Sequence, residues 1–320
     1  MRNLLWVVAL GVLPLACFHP IGAQTATLSA RPTWAFLAPD KEQPVVAEEK
    51  GPIRIPGSVK SYTAAEIDNL SNPPDWFPDE HGALPKVVQG GAGSTALACG
   101  ACHLMSGQGH PESADLAGLP VEYLVRQMAD FKNGTRIDPA RMNAIAKVTS
   151  DEDVRKAAEW FAALKPTAWV TVKEDNTVPK SYVSTKGRMR LPLPAGGTEP
   201  LGKRIIELPQ DMARATSRDP HSGFVAYVPV GSIAKGEALA KTGGSGKTIA
   251  CTICHGDNLK GLGDVPRIAG LHPVYIVRQL YSFQGNDYSG TSAALMKKVV
   301  AKLNEDDMIA IAAYAASLAP

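Results

Sequence analysis

Part of this chain is written twice, and that restricts its fold more than any other feature. Shifting the sequence by 152 positions lays Cys99–Phe131 on Cys251–Phe283, with 12 of the 33 positions identical. A repeated pattern of apolar and polar residues makes the same contacts in each copy, so the chain must hold two similar units. A residue with a specific chemical task in one unit should recur in the other.

Each copy opens on a pentad, CGACH at Cys99–His103 and CTICH at Cys251–His255. A C-x-x-C pair serves as a redox dithiol, as half of a zinc site, or as the thioether anchor of haem, and only the last requires the adjacent histidine as iron ligand. The histidine and its recurrence favour two covalently bound haem c groups, with Cys99, Cys102, Cys251 and Cys254 as anchors and His103 and His255 as iron ligands.

The rest of each copy reads as helix. LAGLPVEYLVRQMADF and IAGLHPVYIVRQLYSF place Leu124/Met128/Phe131 and Ile276/Leu280/Phe283 on one apolar stripe, with Pro120 and Pro273 fit for a first turn and Gly134 and Gly285 fit to end it. After a gain of two residues in the second copy, MNAIAKVTSDEDVRKAAEWFAAL aligns with MKKVVAKLNEDDMIAIAAYAASL. Ser150 and Asn304 are N-cap residues there, and Val154/Ala157/Ala158/Phe161 recurs as Met308/Ile311/Ala312/Ala315. The fold class is therefore mainly α, with two tandem helical domains and long irregular N-terminal and inter-domain segments.

The N-terminus carries Arg2, an apolar run Leu4–Ala16 and then FHPIGAQ, the three regions of a secretory signal peptide, with cleavage expected after Ala23. That run is shorter than the roughly 20 residues that span a bilayer, so a retained anchor is the lesser reading. Cys17 leaves with the leader; its alternative fate as a lipid-modified cysteine is disfavoured by Pro14. Export with every remaining thiol in a pentad suits the bacterial periplasm. The formal charge of +2 argues against nucleic acid as a partner.

The expected organisation is a signal peptide over 1–23, a proline-rich extension over 24–85, a first haem domain over 86–166, an inter-domain segment over 167–230 and a second haem domain over 231–320. The extension is loop apart from a capped helix starting near Thr63, and the inter-domain segment has strand-like patches AWVTV and FVAYV. Its apolar residues, among them Trp169, Ile205, Ile206 and Phe224, require burial if the segment is ordered against both domains. A mobile spacer is the alternative. GGSGKT before Cys251 lacks the first glycine of a phosphate loop and reads as a flexible turn.

An iron held by a pentad histidine has one further axial position. Met142 and Met296 recur at equivalent places, 39 and 41 residues after His103 and His255, and are the candidate ligands. Met128 aligns with Leu280 and Met308 with Val154, which leaves these as packing residues, and Met105 follows His103 too closely. The rival scheme uses His110 and His272, which are not equivalent. Tyr123, Arg126 and Gln127, with Tyr275, Arg278 and Gln279, are polar residues repeated on an apolar helix. They are candidates for hydrogen bonding to haem propionates, with an exposed polar face as the other reading.

The two units resemble class I cytochrome c domains, and their tandem order, the LAGL…YLVRQ segment and the M…SDED…AAEWFAAL ending resemble the dihaem cytochrome c4 type. The resemblance covers about 99–166 and 232–319. It implies an exported carrier, not an enzyme, passing single electrons between a periplasmic or membrane donor and an acceptor, with redox proteins as partners and no integral membrane span after processing. The cytochrome subunit of a larger dehydrogenase or oxidase is the alternative. A dihaem peroxidase-like enzyme would need an open axial position, against which two matched methionines argue. The family also supports the ligand histidine with the carbonyl of a following proline; Pro266 stands there, but its counterpart is Ala114, which leaves the orientation of His103 less securely implied.

Overall fold

The computed structural model describes residues 31–45, 50–92, 97–138 and 140–320. The leader expected over 1–23, with Cys17, lies outside the described residues. Described here are twelve α-helices and seven short strands. No helix among the described residues is long and apolar enough to cross a membrane.

The first helical unit follows a single capped turn, α1 (Ala64–Ile67), in which Thr63 and Glu66 cap each other reciprocally. It comprises α2 (Lys86–Gly90), the pentad turn α3 (Gly100–His103), α4 (Val121–Asn133), α5 (Met142–Val148) and α6 (Asp151–Ala163). Gly134 ends α4 in the left-handed conformation, φ 75°, its N–H donating to the Phe131 carbonyl. The Ser150 side chain accepts from Asp153 N–H to start α6. The stripe Val154/Ala157/Ala158/Phe161 is the buried face of α6.

Residues 168–230 depart from the irregular segment expected there. They form β1 (Val170–Glu174), β2 (Thr177–Pro179), β3 (Ser181–Val183), β4 (Arg190–Pro192), β5 (Thr198–Pro200), β6 (Ile206–Pro209), α7 (Met212–Thr216) and β7 (Phe224–Val228). The two patches visible in the sequence pair with each other: β1 lies parallel to β7, and β6 closes the sheet antiparallel in the order β1-β7-β6. β2 pairs with β5 and β3 with β4. These strands escape pattern reading because they are three or four residues long and several end on proline, which cannot donate to a ladder. Two-stranded pairs leave an open edge at which proline is tolerated.

The second unit has α8 (Ser232–Thr242), the pentad turn α9 (Thr252–His255), α10 (Pro273–Gln284), α11 (Ala293–Val300) and α12 (Glu305–Ser317). α12 is buried on every face from Asp307 to Ala316, because α8, α10 and β1 all pack on it. Its run of small apolar residues suits that position. Gly236 of α8 sits against the α12 backbone, where an added Cβ would overlap the Ala310 carbonyl oxygen.

The inserted segments tie both units together. Ile205, Ala226 and Val228 join the core of the second unit, while Trp169, Ala215 and Phe224 enclose Leu104 of the first. Ile55, Ile67 and Trp76 of the extension form a small core, and Trp76 Nε1 donates to Ser217 O at 2.8 Å. Trp34 Nε1 reaches Glu305 at 2.9 Å on the second unit.

Candidate functional site

Each pentad folds as a single helical turn, and that turn sets its side chains. Cys99 N-caps α3 and Cys251 N-caps α9, so each histidine comes one turn after its first cysteine and is buried at 8% exposure. His103 Nδ1 lies 2.7 Å from Ala114 O, and His255 Nδ1 lies 2.8 Å from Pro266 O, both eleven residues on. A carbonyl can only accept, so Nδ1 carries the proton and Nε2 keeps its lone pair for a metal. The doubt attached to Ala114 is resolved by geometry: the anchor is a main-chain carbonyl, which alanine supplies as well as proline.

Burial lowers the basicity of both histidines, the carbonyl bonds offsetting this only in part, so both are neutral at neutral pH. Burial pushes the Cys99 thiol up to about 12 and that of Cys251 up to about 11. Cys254 is exposed while Cys102 is half-buried.

In the first unit the pentad opens on a cavity of about 540 Å³, within the ~300–1,000 Å³ usual for cofactor sites. Cys99, Cys102, His103 and Met142 all line it, with Leu119, Leu124, Phe131, Ile145 and Phe161 as apolar wall. Met142 begins α5, where its N–H donates to Asp138 Oδ2 at 2.7 Å. In the second unit Met296 lies within α11, half-buried against the core that includes Val277 and Met308. Met105 packs in the first unit's core, and its sulfur lies where a Cβ on Gly100 would go.

The rival histidines make different contacts from each other, and His272 Nε2 is buried without a partner among the described residues. His272 is 2% exposed, with Nδ1 2.9 Å from Glu207 Oε1. His110 borders the cavity, but Glu112 N–H donates to its Nδ1 at 3.2 Å and its Nε2 meets Ser113 Oγ at 3.1 Å.

The repeated polar residues of α4 and α10 meet across the junction of the units. Gln127 Oε1 accepts from Arg136 Nη1 and from Tyr288 OH, each at 2.5 Å. Arg136 Nη2 donates to Gln279 Oε1 at 2.6 Å and to Tyr275 OH at 3.2 Å. Tyr123, Gln127, Arg136, Tyr275 and Gln279 all border the first unit's cavity, so α10 contributes to the wall of its neighbour's site. Burial pushes the Tyr123 phenol well up. Gln127 Nε2 and Arg126 Nε are buried without an acceptor among the described residues. Gln127 borders the cavity, so its orphan donor fits an anionic oxygen from a bound group, whereas Arg126 is not among the residues that line it. Arg278 borders the same cavity and bonds Glu112, Pro111 O and Ala35 O.

Arg136 was not legible in the repeat. Its counterpart is Tyr288, so a search for recurring residues discards it, although the two form a β-bridge with each other. Asp115 and Arg267 behave likewise, being equivalent in the repeat and ion-paired at 3.2 Å with both side chains buried. Contacts between residue i and residue i + 152 are those of a pseudo-two-fold interface. In the first unit the donor set, tautomer control, apolar cavity and unmet Gln127 donor together fit haem, and the second unit repeats the donor set and the tautomer control.

No model of a known protein family matches the chain. The thiosulfate dehydrogenase electron acceptor of Thiomonas intermedia (strain K12) is 27% identical over 227 residues, covering 69% of this chain and 79% of that protein. Cytochrome c4 of Pseudomonas aeruginosa is 25% identical over 224 residues, covering 68% and 83% respectively. Cytochrome c-554(547) of Halothiobacillus neapolitanus is 34% identical over 85 residues, covering 23% of this chain and 93% of that shorter protein. Together with the two pentads and the pseudo-two-fold pair of helical units, these similarities show that the chain belongs to the class I c-type cytochromes, as a distant member of the tandem dihaem, cytochrome c4-like group.

Proposed function

We propose that this chain is an exported periplasmic cytochrome that holds two haem c groups covalently and relays single electrons between a periplasmic or membrane donor and an acceptor. The observation that carries this is the recurrence of one arrangement: a pentad histidine whose Nδ1 is tied to a carbonyl eleven residues on, leaving Nε2 for iron. Cys99, Cys102, Cys251 and Cys254 would be the thioether anchors, and Met142 and Met296 would each supply a further ligand to the iron of its own unit.

Haem iron, when bound, supplies a one-electron couple. The chain's part is to orient and to insulate. The carbonyls of Ala114 and Pro266 hold each imidazole in one tautomer and rotation. The apolar wall of Leu119, Leu124 and Phe161 keeps water out of the first cavity, which limits the reorganisation accompanying a change of charge. Arg136, with Tyr123 and Gln127 beside it, places polar groups where haem propionates would lie; Tyr275 and Gln279 do so from the opposite unit. Arg278, which borders the same cavity, would add a positive charge there.

Two haems per chain by pyridine haemochrome assay is the expected result, and one haem, or haem extractable into acid acetone, refutes it. Met142→Ala and Met296→Ala should each remove one methionine-to-iron charge-transfer band from the oxidised spectrum. An unchanged band in either variant refutes that ligand.

A second reading, the cytochrome subunit of a larger dehydrogenase, is favoured by the likeness to a thiosulfate dehydrogenase electron acceptor. Copurification of the native protein with a dehydrogenase subunit would support it, and recovery of the cytochrome alone at native expression level would speak for a free carrier.

A further inference from the structure

Clustered cations need a counter-charge, and three arginines bordering the first unit's cavity have none. Arg141, Arg188 and Arg218 all line that cavity, as does Cys102. Arg141 and Arg218 both bear electrostatically on the Cys102 thiol and on each other, which places this pair at the thioether edge of the pentad. Arg188 reaches the cavity from the turn between β3 and β4. Lys186, two residues earlier, pairs with Asp68 at 2.9 Å, while Arg218 Nε donates to the neighbouring Ile67 O at 2.9 Å. Arg218 also donates to the carbonyl of the buried Ala101, which it helps to cover.

The carboxylates nearby are committed to other groups. Asp68 holds Lys186, Asp219 holds Arg214 at 2.5 Å, and Asp138 Oδ2 accepts the N–H groups of Arg141 and Met142 at 2.8 and 2.7 Å. Glu112 and Asp287, the other acids lining the cavity, pair with Arg278 and Arg31. Among the described residues, therefore, Arg218 is met by carbonyls alone, and no carboxylate pairs with the side chain of Arg141 or Arg188. Burial, with Arg141 adding its repulsion, lowers the Arg218 guanidinium from its ordinary value.

The backbone is bent to present two of the three. Arg188 and Arg218 have φ of 56° and 60°, in the left-handed region where a side chain is strained and glycine is not. Strain of this kind persists where a side chain has a task. Haem propionates do not supply the missing charge, because the vinyl groups that form thioethers and the propionates stand at opposite edges of the macrocycle. Nor does the repeat require these arginines. Arg141 has Leu295 as its counterpart, and Arg188 and Arg218 lie in the inserted segment, so the second pentad does without them. Phe36 and Leu37 of the extension and Thr185 and Gly187 of the turn line the same cavity, and Arg218 is half-buried. A mouth bordered by the chain's own loops admits an ion more readily than a protein surface, and guanidinium forks suit the paired oxygens of an oxyanion.

We infer that Arg141, Arg188 and Arg218 form a site for a small divalent oxyanion of the sulfate or phosphate class beside the first pentad, and that its occupancy lowers the reduction potential of that unit alone. The site rests on the chain's own residues, and the effect on potential rests on the haem reading proposed above. Oxidation of the iron adds one positive charge, so the anion binds the oxidised form more tightly and, by reciprocity, favours it. A tenfold preference corresponds to about 59 mV for a one-electron couple.

The test titrates the oxidised holoprotein with sodium sulfate at low ionic strength by isothermal titration calorimetry, with phosphate as a second probe. One saturable site per chain is expected. Arg188→Gly and Arg141→Leu should each weaken it at least tenfold, whereas Arg54→Ala, at an exposed arginine outside the cavity lining, should leave it unchanged. Arg188→Gly should also raise the urea midpoint by relieving the left-handed backbone, where loss of a merely structural arginine would lower it. Replacing chloride by sulfate at constant ionic strength should lower one of the two potentials in the wild type and neither in Arg188→Gly. No saturable binding, equal affinity in Arg188→Gly and wild type, or binding of a glutamate-rich peptide without binding of sulfate overturns the site. Sulfate binding that is lost in Arg188→Gly while both wild-type potentials ignore sulfate overturns the link to the iron. Fewer than two haems per chain refutes the haem reading and leaves the calorimetric result standing.

Discussion

The ion pair between Asp115 and Arg267 crosses the junction of the two units, and removing either partner should show what holds that junction. The charged groups lie 3.2 Å apart, at 2% and 5% side-chain exposure. Unit charges at that separation attract by about 5 kcal/mol at an effective dielectric near 20. Both ions have also lost their hydration, so the intact pair gains far less than this, while deleting one partner strands the other and costs ~3–5 kcal/mol. Arg267 further donates to Ala269 O at 2.6 Å and Ala117 O at 3.1 Å. Arg267→Met should therefore cost about 4 kcal/mol and Asp115→Asn about 3. The double variant should cost about 4 kcal/mol, because the stranded charge is gone and only the two carbonyls remain unmet.

Urea unfolding of the holoprotein, followed by far-ultraviolet circular dichroism, supplies the four stabilities of the cycle. A double variant whose cost equals the sum of the singles within about 0.5 kcal/mol refutes the coupling. pH gives a second check. Burial raises the Asp115 carboxyl above its ordinary value, and the Arg267 guanidinium holds the rise back. Losing Arg267 lets the folded-state pKa climb further. A carboxyl raised in the folded state adds stability that is complete below its unfolded value and is lost as pH rises through the folded value. The deficit of Arg267→Met should therefore grow from acid to neutral pH, and a deficit that shrinks over that range contradicts the reasoning.

Three other substitutions probe separate features. Gly236→Ala would drive a Cβ into the Ala310 carbonyl and to 2.7 Å from Tyr314 Cβ, so it should lose about 2 kcal/mol in urea unfolding even after the ~1 kcal/mol gain in helix propensity. Asp307 is held below the ordinary carboxylate range because bonds from Lys247, Lys235 and Asn304 N–H outweigh its burial; Asp307→Asn should cost roughly 1.5–3 kcal/mol at neutral pH, a difference that fades as pH falls through the native carboxyl's pKa. Trp76→Phe removes the bond to Ser217 O and should cost about 1–2 kcal/mol, with faster proteolysis within residues 50–92 as its signature.

The helices were legible because their signals are local. Ser150 and Asn304 both cap as their sequences suggest, and the stripe of α6 is its buried face. Gly285 closes α10 with extended backbone instead of a left-handed turn, so only the position of that end was readable. β2 to β6 were not legible: a strand such as Thr177–Pro179 has no periodicity to detect and exists because Thr198–Pro200 pairs with it. At the site, the pentads could be read from recurrence, which is also the ground on which the methionines are proposed. Arg136 could not, since its task is to bridge units and its counterpart is a tyrosine. The cover over Ala101 was equally hidden, because Arg218 and Ile67 are brought to the pentad from distant stretches of sequence.

Part of this pattern follows from what a residue meets: a contact internal to each unit asks for the same residue in both copies, whereas a charged residue that meets its own counterpart across the junction cannot be repeated. Gly118 and Gly270 are identical because each adopts φ near 70°, donates its N–H at 2.9 Å to the last turn of its unit's final helix, and lies where a Cβ would press on Pro166 or Pro320. That contact is internal to each unit, so both copies need glycine. At a pseudo-two-fold axis the requirement reverses. Identical acids at positions 115 and 267 would face each other buried, and two arginines would repel, so a stable junction needs opposite charges at equivalent sites. The same holds for Arg136 and Tyr288, where two buried guanidiniums would clash and a phenol offers its ring to the cation at 5.0 Å instead. Divergence at the junction therefore makes the two units non-interchangeable.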